Sequence, residues 1–458
     1  MIRDVDAIVI GSGQGGVPLA IAFAQEGRDV VLFERGAFGG TCINAGCTPS
    51  KAFLAAAHSA GRARRARALG VHGQVTVDFP FVMERVRGII ESWSSGVRQR
   101  LLSAGVDIVA AEASFSGERT VTGGGVTVCA PMVVIDTGGT ALVPPIDGLA
   151  EAGYLDNATF FGQRTLPRRF GVLGGGYIGL ELGQGMARCG SEVHVIHRNE
   201  RVLDAEEPDA SYALAQALRG DGVILHLGAR TAAVRRVGEN IVVTLQDGSE
   251  LAFEALLVAT GRRPNTGALR CELGGVALDA RGYVQVDDAL RTSVSGVFAL
   301  GDVAGQPAFT HVSWEDHRRI LSTIRGEERR RGDRVLVYST FTEPQIARAG
   351  VTLAKARATG HDAIAVTLPL SDVARAVEWN EERGFYRIVV DARDERILGA
   401  TLVCYEAAEL IHAVLPYIAA GATWRDLAAA MHVHPTFAEG LPSLARLVPA
   451  ALRIESRG

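Results

Sequence analysis

The sequence has few cysteines, no long apolar run and no large excess of charge of either sign. Six cysteines in 458 residues are too few for a disulfide-stapled secreted fold, so a reducing, cytoplasmic location is expected. No apolar run approaches the ~20 residues that span a bilayer, and the first residues enter a strand directly, so neither a membrane segment nor a signal peptide is expected. The net charge of −4 does not indicate a nucleic-acid-binding surface. The length predicts roughly two to four domains.

What the chain does contain is a pair of cysteines, Cys42 and Cys47, just ahead of an alanine-rich helix that follows Lys51. Five residues of regular helix rise about 7.5 Å, whereas the Cα atoms of a disulfide lie roughly 4.4–6.8 Å apart. Gly46 permits a distorted turn and Pro49 cannot continue a hydrogen-bonded one, so a bridged pair becomes possible. The positive end of the helix would favour a thiolate. The pair indicates a redox dithiol. Two buried free cysteines, or half of a zinc site, remain alternatives, but no second pair follows to complete four zinc ligands, and no metal site is expected.

The amino-terminal region shows the strand–turn–helix–strand pattern of a dinucleotide-binding βαβ unit. In the turn, Gly11 makes the tight bend, Gly13 lets the backbone approach a pyrophosphate, and Gly16 lets helix and strand pack closely. Glu34, at the end of the second strand, can accept hydrogen bonds from an adenosine ribose. The pyrophosphate would lie on the helix N-terminus. The strands are predicted at Ala7–Ile10 and Asp29–Phe33, and the helix at Val17–Glu26.

A second turn of the same kind contains Gly174, Gly176 and Gly179, between strands predicted at 170–173 and 192–196. Two such units in one chain predict two bound dinucleotides. An acidic residue after the second strand would favour NAD, but the chain has His197 there, followed by Arg198 and Arg201. Two arginines can pair with a 2′-phosphate, which favours NADPH over NADH, although both could be plain surface charges.

The stretch from Gly39 to Lys51 meets every fixed position of the pattern GGTCxNxGCxPSK. It resembles the redox-active motif of the class I flavin-dependent pyridine nucleotide–disulfide oxidoreductases, the family of glutathione reductase, dihydrolipoamide dehydrogenase and mercuric reductase. The resemblance covers nearly the whole chain. It implies an α/β fold of two Rossmann-like domains plus a carboxy-terminal α+β dimerisation domain. The implied segments are FAD-binding at 1–150 and 269–335, NAD(P)H-binding at 151–268, and dimerisation at 336–458.

The resemblance also implies roles for single residues. A strand at 106–115 would place the backbone amide of Ala113 near the flavin nucleotide, and Lys51 would pair with Glu181 beside the flavin ring. Trp314 and His317 are bulkier than the family pattern, which leaves the shape of the pocket edge open. The other positions assigned to cofactor binding are Gly40, Thr41, Thr137, Gly138, Gly261, Asp302 and His311.

Near the end of the chain, His434 and Glu439 resemble the family's acid–base pair, which reaches into the active site of the other subunit of a homodimer. A neutral-pH proton shuttle suits histidine, and a carboxylate would fix its tautomer. The implied reaction passes two electrons from a nicotinamide through FAD to the Cys42–Cys47 disulfide. Cys47 would be the flavin-proximal sulfur and Cys42 the attacking thiolate.

The sequence specifies the electron acceptor less narrowly than it specifies the type of reaction. Overall the sequence looks closest to mercuric-reductase-like chains, yet it ends without a second cysteine pair, has no amino-terminal metal-binding domain and keeps the HPT histidine, His434. A dihydrolipoamide dehydrogenase would have an acid in place of His197. A small-molecule disulfide is therefore expected, with mercuric or another metal ion such as cupric ion, or dihydrolipoamide, as alternatives. A further alternative is that the chain is a flavoprotein that relays electrons to a partner protein.

Overall fold

A computed structural model describes residues 2–455 of the chain. The amino-terminal elements are β1 (Ile2–Asp4), β2 (Ala7–Ile10), α1 (Gly16–Gln25), β3 (Val30–Phe33), α2 (Gly40–Asn44), α3 (Cys47–Arg65), α4 (Phe79–Ser103), β4 (Asp107–Val109), β5 (Ser114–Gly117), β6 (Thr120–Gly123), β7 (Val126–Cys129), β8 (Met132–Ile135) and β9 (Gly139–Ala141). The central elements are α5 (Leu149–Ala152), β10 (Arg169–Leu173), α6 (Tyr177–Cys189), β11 (Glu192–Ile196), α7 (Pro208–Gly220), β12 (Ile224–His226), β13 (Thr231–Val237), β14 (Asn240–Leu245), β15 (Glu250–Phe253), β16 (Ala255–Val258), β17 (Arg262–Pro264), β18 (Val297–Ala299) and α8 (Thr310–Ile324). The carboxy-terminal elements are β19 (Val337–Thr340), β20 (Gln345–Gly350), α9 (Leu353–Ala358), β21 (Ala363–Pro369), α10 (Ala374–Glu378), β22 (Phe385–Asp391), β23 (Ile397–Cys404), α11 (Ala407–Leu410), α12 (Leu415–Ala419), α13 (Trp424–Ala429), α14 (Gly440–Ala445) and α15 (Val448–Glu455).

The first glycine-rich turn belongs to a parallel sheet of five strands, in the order β18-β8-β2-β3-β4. Its central strands are short apolar runs that are buried along their whole length, as expected for a sheet covered on both faces. Strand β18 comes from residues 297–299, so this sheet is completed by a segment distant in sequence. The carboxyl ends of the strands meet at one edge, which is where open α/β sheets bind ligands.

The second glycine-rich turn belongs to a separate parallel sheet of four strands, β12-β11-β10-β16. A three-stranded antiparallel sheet, β13-β14-β15, accompanies it. Strand β17 then pairs with β9 as the chain crosses back to the first sheet. Helices α3 and α6, from the two halves, pack against each other around buried Phe53 and Met186.

Beyond residue 336 the strands form a five-stranded antiparallel sheet, β19-β20-β23-β22-β21, covered by short helices. Two parallel nucleotide-type sheets and this antiparallel α+β unit confirm the predicted fold class. Within residues 2–455, no helix has both the length and the apolar character needed to cross a bilayer.

One local prediction is wrong. Residues 106–115 do not form a single strand, because β4 ends at Val109, where the Ala111 N–H bonds back to the Val109 carbonyl and turns the chain. Ala113 therefore lies between β4 and β5, although it is still buried beside the first sheet.

Candidate active site

A cavity of about 1190 Å³ lies at the carboxyl edge of the five-stranded sheet. It is bordered by the first glycine-rich turn, the cysteine helices, the start of α8 and the first strand of the carboxy-terminal sheet. Of the residues predicted to bind FAD or to react, those on its wall are Gly11, Gly13, Glu34, Gly40, Thr41, Cys42, Cys47, Lys51, Ala113, Thr137, Gly138, Glu181, Asp302 and His311. The fold thus gathers into one site residues that span most of the sequence.

The first glycine-rich turn is packed too tightly for side chains. Gly11 has a φ of +105°, and a Cβ there would lie 2.3 Å from the Asp136 carbonyl oxygen. A Cβ on Gly16 would lie 2.5 Å from the Gly11 carbonyl oxygen, as the helix–strand packing predicts. A Cβ on Gly13 would lie 2.5 Å from the Asp136 carboxylate. The Asp136 side chain therefore excludes a larger residue at position 13 even before a ligand is considered.

Asp136 is a site residue that the sequence analysis missed. It directly follows the apolar strand β8, it is buried, and its Oδ2 accepts the Gly16 N–H at 2.6 Å. Desolvation raises the pKa of this carboxyl to about 8, and the nearby charges of Asp302 and Glu34 add to the shift. The positive end of helix α1 therefore already holds an acid, beside the place where a pyrophosphate would bind.

We expect Asp136 to make FAD retention depend on pH. Above about pH 8 the carboxyl ionises and its charge opposes a bound pyrophosphate, so FAD affinity falls as pH rises, by up to about tenfold per pH unit. In Asp136→Asn this loss is absent, because the amide oxygen still accepts the Gly16 N–H without acquiring charge. FAD dissociation constants of both proteins between pH 6 and pH 10 measure the effect. Parallel curves would show that Asp136 does not couple to the cofactor.

The two cysteines lie on different helices. Helix α2 contains Cys42 and ends at Asn44, the next two residues are not helical (Gly46 has φ −137° and ψ −117°), and Cys47 is the first residue of α3. Because Cys42 and Cys47 do not belong to one regular helix, the rise of such a helix does not separate their thiols. The sequence predicts this break from the presence of Gly46. Both sulfurs are free thiols in the structure, Cys42 half-buried and Cys47 exposed to the cavity.

The surroundings of the pair distinguish the two sulfurs. A hydrogen bond from Cys42 lowers the pKa of Cys47 to about 6, assisted by the Thr310 hydroxyl at 3.0 Å and the charge of Lys51, while burial opposes the shift. The same hydrogen bond raises the pKa of Cys42, and burial raises it further. In the dithiol state at neutral pH the thiolate is therefore Cys47, and Cys42 holds the proton. Cys42 can attack an acceptor only when a base removes that proton.

The ion pair expected between Lys51 and Glu181 is present. Lys51 Nζ lies 2.8 Å from Glu181 Oε2, and the other carboxylate oxygen accepts the backbone N–H of Phe341 at 2.8 Å. The Lys51 ammonium also lies 4.4 Å from the centroid of the Phe341 ring. Glu181 is almost fully buried, so its charge needs this partner.

The wall residues fit FAD. The Thr137 hydroxyl oxygen is buried without a hydrogen-bond partner and borders the cavity. Glu34 accepts the N–H and O–H of Ser12 at 2.9 and 2.6 Å, so it is fixed at the strand end where a ribose would lie. Helix α8 begins at Thr310 and directs its N-terminus to the cavity. Asp302, which would hold the ribityl chain, also accepts a hydrogen bond from the Arg262 guanidinium at 2.9 Å.

His311, Trp314 and His317 of α8 lie in different surroundings. His311 lines the cavity, and its Nε2 lies 2.6 Å from the Val337 carbonyl oxygen. Trp314 is largely exposed and His317 is buried within the fold, so neither narrows the cavity. A further wall residue that sequence reasoning missed is Tyr177, at the start of α6, whose ring centroid lies 5.8 Å from that of Phe309.

The second glycine-rich turn lies outside this cavity. Gly174 has a φ of +117°, a Cβ on Gly179 would lie 2.3 Å from the Gly174 carbonyl oxygen, and Gly176 faces open space. Gly261, with a φ of +144°, follows β16 of the same sheet. Gly174 and Gly179 thus repeat the packing of Gly11 and Gly16 in the first turn.

The residue that follows the strand end beside this turn is His197 rather than an acid. His197 Nδ1 accepts the Gly175 N–H at 3.1 Å. Arg198 is exposed, whereas Arg201 reaches the carbonyl oxygens of Glu206 and Asp204 at 3.4 and 3.5 Å. Both arginines thus lie on the loop that follows β11, and Arg201 is held by that loop itself.

His434 and Glu439 form a pair, but away from the cavity of their own chain. His434 Nδ1 lies 2.7 Å from Glu439 Oε2, and the histidine side chain is 74% exposed. Neither residue lies on the wall of the cavity. The structure therefore does not bring this pair to the cysteines within one subunit.

Comparison with known proteins decides the family. The family described as Pyridine nucleotide-disulphide oxidoreductase matches residues 5–316, and its dimerisation domain matches residues 337–445. The chain belongs to the pyridine nucleotide-disulphide oxidoreductase family. Members use FAD and NAD(P)H and are characteristically dimeric, so this oxidoreductase is an FAD-dependent, NAD(P)H-linked enzyme. The predictions of family, cofactors and reaction type are confirmed.

The oxidoreductase is similar to proteins that are named for different activities. It is 33% identical over 448 residues to a dihydrolipoyl dehydrogenase of Haloferax volcanii, covering 95% of this chain and 94% of that protein. It is 36% identical over 449 residues to a mercuric reductase of Streptomyces lividans, again covering 95% and 94%. The structure of the HOCl-induced flavoprotein disulfide reductase RclA from Escherichia coli, as a Cu(II) complex, gives a TM-score of 0.89 at 32% identity, covering 97% of this chain and 100% of that one.

Proposed function

We propose that the oxidoreductase reduces a small-molecule disulfide through Cys42 and Cys47, using NADPH and a histidine of the partner subunit. The observation that supports this most is the asymmetry of the two thiols on the cavity wall. Cys47 is stabilised as a thiolate by Cys42, Thr310 and Lys51, while Cys42 keeps its proton. A dithiol that must open a substrate disulfide and then re-form its own needs these unequal roles.

In this mechanism FAD, when bound, supplies two electrons from the nicotinamide to the Cys42–Cys47 disulfide. The S–S bond breaks and one proton is taken up from solvent, leaving a Cys47 thiolate and a Cys42 thiol. His434 of the partner subunit takes the Cys42 proton, and Cys42 attacks one sulfur of the substrate. A mixed disulfide forms, and the departing thiolate receives that proton. Cys47 then attacks Cys42, which re-forms the internal disulfide and releases the second product thiolate, to be protonated by solvent.

The other residues on the wall support these steps. Lys51 keeps a positive charge near Cys47, and Glu181 holds Lys51 in place through the buried ion pair. Glu439, at 2.7 Å from His434 Nδ1, would orient the imidazole so that Nε2 faces the thiols. Since each subunit's His434 lies outside its own cavity, the homodimer would complete each site.

NADPH is the proposed coenzyme. The residue directly after the strand is His197, not a carboxylate that could accept a free 2′-hydroxyl, and the loop beyond it carries the donors Arg198 and Arg201. His197 cannot serve as that acceptor through Nδ1, since this nitrogen already accepts the Gly175 N–H.

Reduction of a metal ion is a second candidate. Two thiols that face one cavity are soft ligands for Hg²⁺ or copper ions. The relatives include a mercuric reductase and a flavoprotein solved as a Cu(II) complex. In this reaction the substrate ion would bind both sulfurs, and no thiol would leave, so His434 would have no proton to deliver.

That difference gives the test. NADPH oxidation by the purified dimer is measured with glutathione disulfide, lipoamide, Hg²⁺ and Cu²⁺, for wild type and His434→Ala in parallel. We expect strong turnover of one disulfide that falls by about 10²- to 10⁴-fold in the variant. Turnover with metal ions alone, unchanged by His434→Ala, would overturn disulfide reduction in favour of metal-ion reduction.

A further inference from the structure

The loop at residues 197–207, named here the coenzyme loop, joins β11 to α7 and carries Arg198 and Arg201. Its Leu203 N–H donates to the Gly175 carbonyl oxygen at 2.9 Å, so the loop rests on the second glycine-rich turn. Its far end is held by a different part of the molecule. The carboxylate of Glu206 reaches across to the carboxy-terminal sheet.

Glu206 is the centre of a buried polar cluster. Its Oε1 accepts the Tyr338 O–H at 2.6 Å, and its Oε2 accepts the Arg348 Nε–H at 3.0 Å and a second, terminal guanidinium N–H. The side chains of Arg348 and Glu206 are only 4% and 8% exposed. Burying an ion pair contributes little net stability, so such a pair is weak evidence for a purely stabilising role.

The backbone of Glu206 contacts Arg201, one of the two arginines proposed above to bind the coenzyme phosphate. Arg201 donates to the carbonyl oxygen of Glu206 at 3.4 Å and to that of Asp204 at 3.5 Å. Both bonds are long, and Arg201 can exchange them for a phosphate. Because Arg348 fixes Glu206 from the side-chain end, it also fixes the carbonyl against which Arg201 rests.

The other partner of Glu206 belongs to the flavin cavity. Tyr338 lines that cavity and its ring stacks on Phe309, with centroids 5.0 Å apart and planes 12° apart. Phe309 stacks in turn on His311 at 5.5 Å. Burial, followed by the charge of Glu206, raises the pKa of Tyr338, so the phenol stays a donor. One carboxylate thus joins the coenzyme loop to the aromatic wall of the cavity.

We propose that Glu206 and Arg348 are positioning residues for the nicotinamide coenzyme: they lock the coenzyme loop so that Arg201 meets the 2′-phosphate, an inference that rests on the proposed NADPH selectivity. The carboxy-terminal sheet, whose β20 contains Arg348, thereby takes part in coenzyme recognition without touching the coenzyme. Loosening the lock should weaken NADPH, which has the phosphate, more than NADH, which lacks it.

The test is the ratio of the NAD⁺ and NADP⁺ dissociation constants, measured by titrating the oxidised holoenzyme with these two non-reducing probes. Glu206→Gln keeps the shape of the side chain and an acceptor for Tyr338 but removes the ion pair. We expect the NADP⁺ dissociation constant to rise about tenfold, the scale of one charge-assisted hydrogen bond, and that of NAD⁺ to change less than about twofold. A merely structural role would move both constants together.

Glu381→Gln is the matched control. Glu381 forms another ion pair between the carboxy-terminal unit and the rest of the chain, with Arg65 of α3 at 3.2 Å, away from the coenzyme loop. We expect this variant to leave the ratio unchanged. An unchanged ratio in Glu206→Gln, or an equal shift in Glu381→Gln, would overturn the proposal. If Glu206→Gln does not fold, Glu206→Gln/Arg348→Met removes the unpaired buried charge and must show the same loss of selectivity.

Arg201→Gln separates this failure from failure of the coenzyme assignment. If Arg201→Gln lowers the NADP⁺ preference and Glu206→Gln does not, the lock is wrong and the phosphate site stands. If neither variant alters the preference, the phosphate is not bound by Arg201 and both assignments fail.

Discussion

Cys42→Ser is expected to lower disulfide turnover by about a thousandfold or more while leaving the reduction of bound flavin by NADPH intact. A serine hydroxyl has no accessible anionic form at neutral pH and cannot form a mixed disulfide with the substrate. Neither the Lys51–Glu181 ion pair nor the contact of Tyr177 with Phe309 on the cavity wall involves the Cys42 sulfur, so the substitution leaves these contacts intact. Steady-state NADPH oxidation with the best disulfide, and anaerobic flavin bleaching in one turnover, measure the two halves separately.

Cys129→Ser is the matched control, since Cys129 is a half-buried thiol on β7 that does not line the cavity. It should keep full turnover. Disulfide turnover that survived in Cys42→Ser would remove Cys42 as the attacking group. Loss of flavin bleaching in the same variant would mean that the sulfur acts before the internal disulfide is reduced.

The reduced wild-type enzyme should also show which thiol ionises first. The pKa of Cys47 is lowered from 9.0 to about 6, so thiolate absorbance in the dithiol enzyme should appear with a midpoint near pH 6. The same pKa shift makes the free energy of unfolding depend on pH. The stabilisation by the Cys47 thiolate is complete above the unfolded-state pKa near 9 and is lost as pH falls through the folded-state pKa of about 6. The acid limb of disulfide turnover should instead report the base that deprotonates Cys42.

Local chemistry was enough to predict much of this site. Strands β2 and β3 are unbroken apolar runs that enclose a glycine turn, so both the βαβ unit and its ligand edge can be read from periodicity and spacing. The break at Gly46 follows from the geometry that a five-residue cysteine spacing requires. The Lys51–Glu181 pair joins residues 130 positions apart, and only the family resemblance could predict it.

What could not be predicted depends on packing between distant segments. Asp136 looks like a strand end in the sequence, and only the approach of the Gly16 N–H to its carboxylate shows its place in the site. Thr310 contacts Cys47 across 263 residues, and Glu206 contacts Tyr338 across 132. No spacing rule covers such contacts, because each depends on how separate sheets dock.

A second large change in disulfide turnover is expected in heterodimers that combine two different variant subunits. Homodimers of Cys42→Ser and of His434→Ala should both lack disulfide turnover, yet a heterodimer with one subunit of each should recover about half of the wild-type turnover. One cavity then combines the altered Cys42 with the altered histidine and is inactive. The other combines an intact Cys42 with the intact His434 of the opposite subunit and is complete. Separately tagged subunits, expressed together and purified through both tags, provide the heterodimer.

The recovery distinguishes a shared site from a site within one subunit. If His434 served the cysteines of its own chain, each subunit of the heterodimer would lack one essential group, and turnover would stay at the level of the two homodimers. The 74% exposure of His434 and its absence from its own cavity wall argue for the shared arrangement.

Glu439→Gln in place of His434→Ala should give a partial loss with the same pattern of recovery, because Glu439 acts only through the imidazole that it holds. Recovery with His434→Ala but not with Glu439→Gln would mean that Glu439 supports the fold around it rather than the proton transfer.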